Sequence, residues 1–123
     1  MLFRSKAVAC AVAMQEAILE LNRTFREEGN PELSMRIGLH QGPALVGAFG
    51  SEARTDFTAI GSTVNMASRI QSAAEPGAVF VSEALRDYLD DGRWERAGYF
   101  CLKGFQGEVP LYRILSEGKQ KAA

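Results

Sequence analysis

The chain reads as an α+β domain on three observations. It opens with a long amphipathic helical pattern, it continues in short apolar runs separated by Gly, Pro and Asn turn signals, and its middle holds a strand that meets a glycine and then a helix. Helices and strands alternate with hairpins, so a sheet with helices packed on one face is the expected architecture.

The first helix is expected over residues 5–28. Arg4 and Lys6 ahead of the apolar stretch 7–14 superficially resemble a signal peptide. The helical pattern runs through any cleavage point, however: Met14, Ile18, Leu21 and Phe25 form an i, i+4, i+7, i+11 stripe opposite Glu16, Glu20 and Arg23. Gly29, Asn30 and Pro31 end the helix. Met35, Ile37 and Leu39 then alternate with Arg36, Gly38 and His40, as in a strand with one buried face. After a turn at Gln41, Gly42 and Pro43, residues 44–49 give a second strand, and the two are expected to pair as a hairpin. Gly47 inside that strand suggests close approach by another backbone or a ligand.

A polar loop over 50–55 leads to a strand over 56–60, Gly61, and a helix that Ser62 and Thr63 are suited to cap. That helix is expected to end near Ala74, before Glu75, Pro76 and Gly77. Residues 78–81 form a short buried strand, and Ser82 caps a brief helix to about Leu89. Residues 94–102 and 111–115 form a final strand pair. The domain spans residues 1–115, and the polar end, 116–123, is expected to fray.

A length of 123 residues, a hydrophobic share of 46% and a charged share of 24% describe one soluble globular domain. A net charge of −1 provides no global field for nucleic acid or anionic lipid. Any phosphate binding is therefore local. No run is long enough to cross a bilayer. Cys10 and Cys101 match no metal or redox spacing and read as reduced, mostly buried thiols.

The chemistry concentrates in residues 54–69. Asn65 and Arg69 lie four residues apart, on one face of a helix that starts at a strand's end. A neutral amide orients a polar ligand, and a guanidinium meets phosphate charge in a bidentate way. Gly61, Val64, Asn65, Ala67 and Arg69 stand at the spacing of the class III nucleotidyl cyclase signature, Gly-x-x-Val-Asn-x-Ala-x-Arg. The stretches 36–42, 46–50, 102–104 and 109–113 extend the match, and the resemblance covers about residues 7–114.

The resemblance implies a ferredoxin-like cyclase catalytic fold. It also implies a lyase activity in cyclic nucleotide signalling, in which the 3′-hydroxyl of ATP joins the α-phosphate and pyrophosphate leaves. On it, Asn65 positions the ribose, Arg69 is the cation at the transition state, Lys103 contacts the terminal phosphates, and Thr58 lies at the base-selecting position. Threonine there suits adenine without excluding guanine. Asp56 matches no metal ligand of the family, Ser62 replaces a common aspartate, and His40 reads as structural.

The family's two metal-binding aspartates lie ahead of the helix with which this chain opens, so the chain resembles the rear two-thirds of a catalytic domain truncated at its N-terminus. Mg²⁺ or Mn²⁺ is expected in an intact dimer, with ligands absent from this chain. The expected partners are ATP and a second cyclase domain, in a homodimer, and the expected location is cytoplasmic. The alternative is a catalytically silent cyclase-homology module that binds nucleotide or a partner domain. An unrelated ferredoxin-like RNA binder would need a basic face and paired aromatics that the sequence lacks.

Overall fold

The structure is a computed structural model that describes residues 2–43, 45–51, 54–89 and 93–115; of residues 2–5, 45–46, 48–51 and 54–60 it describes the backbone. The expected frayed tail, 116–123, lies outside the described residues. In chain order the elements are α1 (Leu2–Glu27), β1 (Ile37–Leu39), β2 (Leu45–Ser51), β3 (Arg54–Ile60), α2 (Ser62–Ala73), β4 (Val79–Ser82), α3 (Glu83–Arg86), β5 (Trp94–Cys101) and β6 (Glu108–Ile114).

Four strands form the main sheet in the order β1-β4-β6-β5, and β2 and β3 form a separate two-stranded ribbon. The expected hairpin between the strands at 35–40 and 44–49 does not form. Instead β1 pairs in parallel with β4, Ile37 opposite Val79 and Leu39 opposite Val81. β2 spends its whole length on β3, from Leu45 opposite Ile60 to Ser51 opposite Arg54. A ladder of that length outweighs anything the three-residue β1 offers, and α2 provides the crossover that a parallel pair requires.

Every residue of β4 is buried, because the strand is apolar in both parities. Val79 and Val81 face one side, where Val8 and Ala11 of α1 join Leu85, Trp94, Tyr112 and Ile114 in one cluster. Phe80 faces the other, where Ile70 and Ala74 of α2 join Leu102 and Leu111. The helices therefore cover both faces of the sheet, not one. Trp94 meets Tyr112 edge-on at 5.2 Å between ring centres. Pro110 lies in β6 beyond the residues that β4 pairs, 111–113, so its missing N–H falls where the strand has one neighbour.

The stripe assigned to α1 is rotated from its expected position. Met14 and Leu21 are 46% and 47% exposed, whereas Val8, Ala11 and Asn22 are buried. Val8 and Ala11 pack into the cluster with Val79, Val81 and Trp94, and that packing sets the inward face. Asn22 earns its place there: its Nδ2 donates to the Leu33 carbonyl at 2.7 Å and its Oδ1 accepts from the Leu33 N–H at 2.7 Å. Gln15 similarly donates to the carbonyls of Met35 and Ala78. Gly29, with φ 76, takes the left-handed position that ends α1.

Candidate active site

β3 delivers the chain to Gly61, the N-cap of α2, with φ 129 and ψ 178. Glycine alone tolerates that region well, so this residue lets the strand turn directly into the helix. The expected hydroxyl cap is not used. Ser62 is already helical, and no side chain caps α2, because Gly61 holds the flanking position from which a Ser or Thr would reach back. The first N–H groups of α2 thus lack a side-chain acceptor at the positive end of the helix dipole, an arrangement that favours an anion. The space beside the cap is open: a Cβ on Gly61 would meet nothing within 4 Å.

Asn65 is exposed and Arg69 half-buried, one helical turn apart on α2. The Asn65 N–H donates to the Gly61 carbonyl at 3.1 Å, which fixes the first turn. The Arg69 side chain makes no hydrogen bond or ion pair with another described residue. Lys103 is exposed in the turn between β5 and β6. Its neighbours Leu102 and Phe105 pack into the cluster of Ile70 and Met66, so the turn is held against the flank of α2. Thr58 pairs with Gly47 in the β2–β3 ladder, and the side chains of Thr58 and Asp56 lie outside the described residues.

His40 directly follows β1 and shares a 2.7 Å hydrogen bond between its Nδ1 and the Ser82 hydroxyl. This commits Ser82, which was expected to cap α3 and makes no such bond there. Burial lowers the His40 pKa below its ordinary value. Cys10 and Cys101 are free thiols as expected but both exposed, contrary to their expected burial: Cys10 lies on the outward side of α1 and Cys101 at the open end of β5. Among the described residues no helix is long and apolar enough to cross a membrane. Nor do any three His, Cys, Asp or Glu side chains among them converge as metal donors, so these residues do not fit a resident divalent ion.

Glycines that seat α2 went unrecognised in the sequence. A Cβ on Gly38 would lie 2.4 Å from the Gln71 backbone nitrogen and 2.9 Å from the Ala67 carbonyl oxygen. β1 therefore runs directly beneath the helix, and Gly38 is not a solvent-facing member of an alternating strand. A glycine inside an apolar strand was the available signal. A cleft of about 610 Å³ lies at the opposite end of the sheet, between α1 and the turn at Glu75 to Ala78. It contains none of the expected site residues, and its one arginine, Arg113, is engaged by Glu75 and by Glu95 at 2.8 Å. That cluster ties the end of α2 to β5 and β6.

The family model described as the adenylate and guanylate cyclase catalytic domain matches residues 3–116. The chain belongs to that family.

This cyclase domain is 43% identical over 65 residues, 53% of its length, to adenylate cyclase 1 of Rhizobium meliloti. It is 36% identical over 100 residues, 80% of its length, to atrial natriuretic peptide receptor 2 of Anguilla japonica. It spans 10% and 9% of those two proteins respectively. Among solved structures, the adenylyl cyclase CyaB from P. aeruginosa superposes with a TM-score of 0.81 at 30% identity, over 93% of this chain and 59% of that one. The guanylyl cyclase Cya2 gives the same TM-score of 0.81 at 31% identity, over 97% of this chain and 63% of that one. The fold is thus that of a class III cyclase catalytic domain, over about six-tenths of the matched structures.

Proposed function

We propose that this cyclase domain contributes half of a nucleotidyl cyclase active site, acting on ATP in preference to GTP and releasing 3′,5′-cyclic AMP and pyrophosphate. The observation that carries the reading is the face of α2. An uncapped helix start with open space at Gly61 lies one turn from the Asn65 amide and two turns from the Arg69 guanidinium.

In the reaction the ribose 3′-hydroxyl gives up its proton to solvent as its oxygen forms a bond to the α-phosphorus, the bond from that phosphorus to the bridging oxygen breaks, and pyrophosphate departs with its electron pair. Asn65 orients the ribose so that the hydroxyl is in line. Arg69 meets the negative charge that builds on the α-phosphate oxygens, where a fixed cation does most for the rate. Lys103, on the flank of α2, takes the terminal phosphates, and Thr58 meets the edge of the base. The divalent ion that such chemistry uses, Mg²⁺ or Mn²⁺, neutralises the triphosphate when bound; its carboxylates are to come from a second cyclase domain. A homodimer, a cytoplasmic location and a role in signalling belong to the same reading. The runner-up, a silent module that binds nucleotide or a partner domain, shares every residue named here.

Complementation separates the two. The chain is mixed with a class III cyclase domain that supplies the metal carboxylates but has its own asparagine and arginine replaced. Cyclic AMP formation on mixing is expected, and Arg69→Ala in this chain should lower kcat on the order of 10²-fold while leaving KM and the melting temperature nearly unchanged. No product on mixing, or an Arg69→Ala variant at full rate, overturns the enzymatic reading.

A further inference from the structure

The helix that carries Asn65 and Arg69 rests on bare backbone at more than one point, and the contacts differ in kind. Gly38 lies under the middle of α2, where a Cβ would strike the backbone at Ala67 and Gln71, the residues that bracket Arg69. Backbone within a helix has no room to give, so this contact anchors the turn that holds the arginine. Gly42 lies under the first turn. A Cβ there would come within 2.7 Å of Thr63 Oγ1 and 3.2 Å of Thr63 Cγ2, which are side-chain atoms.

Neither glycine has a positive φ, so the backbone at Gly42 accepts alanine and only Thr63 objects. Thr63 is the second residue of α2, two before Asn65, and its β-branched side chain is stiff within a helix. Both of its branches face the added methyl, so even in its second helical rotamer one heavy atom stays turned toward that methyl and the strain passes to the backbone of its own turn.

Building on the nucleotide site assigned above, we infer that Gly42 is a positioning residue for Asn65. Its bare Cα forms the seat on which Thr63 places the first turn of α2, while Gly38 separately fixes the turn of Arg69. The ribose-orienting amide and the transition-state cation are thus held by independent supports. A disturbance at Gly42 shifts Asn65 relative to Arg69 rather than moving the helix as a whole.

The test compares Gly42→Ala, Thr63→Ala and the double variant Gly42→Ala/Thr63→Ala in the full chain. Amide NMR spectra of the chain alone, without nucleotide, report the geometry. Gly42→Ala should shift the signals of residues 62–66, including the Asn65 side-chain amide, and spare those of residues 69–73; the double variant should return them. In the complemented enzyme, Gly42→Ala should cut kcat about tenfold or more with little change in KM, as expected for misplacement of an orienting group by a fraction of an ångström. Thr63→Ala alone, which unloads the seat without adding a clash, should cost no more than about threefold, and the double variant should recover to that same level.

A double variant as impaired as Gly42→Ala overturns the inference even if the single variant folds poorly, since removing Thr63 must then have relieved nothing. Shifts spread along all of α2 overturn it equally. Asn65→Ala in the same assay keeps the underlying reading separate: if it retains full rate, the nucleotide site itself is wrong, whereas NMR shifts confined to residues 62–66 would still stand for the seat.

Discussion

At the scale of single residues, Thr58 and His40 make opposite kinds of claim. The proposed site puts Thr58 at the base edge, and one neutral hydrogen bond contributes about 1 kcal/mol, close to a fivefold preference. ATP should therefore be turned over faster than GTP by the complemented enzyme, and Thr58→Ala should narrow the ratio of the two kcat/KM values without abolishing either. Unchanged selectivity would show that the base is read elsewhere. His40 is a matter of stability. Burial holds its folded-state pKa below the unfolded value near 6.5, so the unfolded chain takes up the proton first. The contribution of neutral His40 is complete above that value and is lost as pH falls from there through the lower folded-state pKa. Urea midpoints measured from pH 7.5 to 5 should fall with acidity, and His40→Gln should flatten that slope. The signature residues were legible because Asn65 and Arg69 stand at a fixed helical spacing behind Gly61. The seat at Gly42 was not, because a glycine next to a proline reads first as a turn, and nothing local says that a threonine twenty-one positions later lies against it.

At the scale of elements, helices α1 and α2 and the strands of the main sheet follow closely from period and punctuation, and the partners of those elements do not. β1 carries too few residues to declare its neighbour, so the nearby β2 is the natural guess from sequence; only the buried, doubly apolar β4 and the crossover through α2 explain the parallel pairing seen. α1 shows the same limit in rotation. Its exposed side carries Met14, Leu19 and Leu21, so hydrophobicity alone cannot choose the inward face. The choice is made by Val8 and Ala11, which pack into the core cluster, and by the buried Asn22, which clamps the segment following the helix. Asn22→Ala removes both bonds to Leu33. Because Leu33 is 53% exposed, water can satisfy its backbone again, and the loss should stay near 1 kcal/mol, the low end for a broken buried polar pair. Guanidinium unfolding that shows no change would mean that the clamp is already solvated in the native state.

At the scale of the whole molecule, the cyclase chain brings the Asn65 and Arg69 side of α2 without a cluster of metal donors among its described residues. Purified alone with ATP and Mg²⁺ or Mn²⁺, it should form no cyclic AMP above background, and robust turnover would require ligands outside those described. The parallel pairing of β1 with β4 also has a consequence in time. β5 and β6 are joined by a short turn and close a small loop, whereas β1 meets β4 only after β2, β3 and α2 have been gathered between them. Closing that long loop is slow, and the reward is a ladder of three residue pairs. Refolding should therefore proceed from the β5–β6 end, with β1 the last strand to dock and the first to detach in native-state opening. Its amides would exchange ahead of those in β4 and β6, so the helix that presents Asn65 and Arg69 rests on the most transient strand of the sheet.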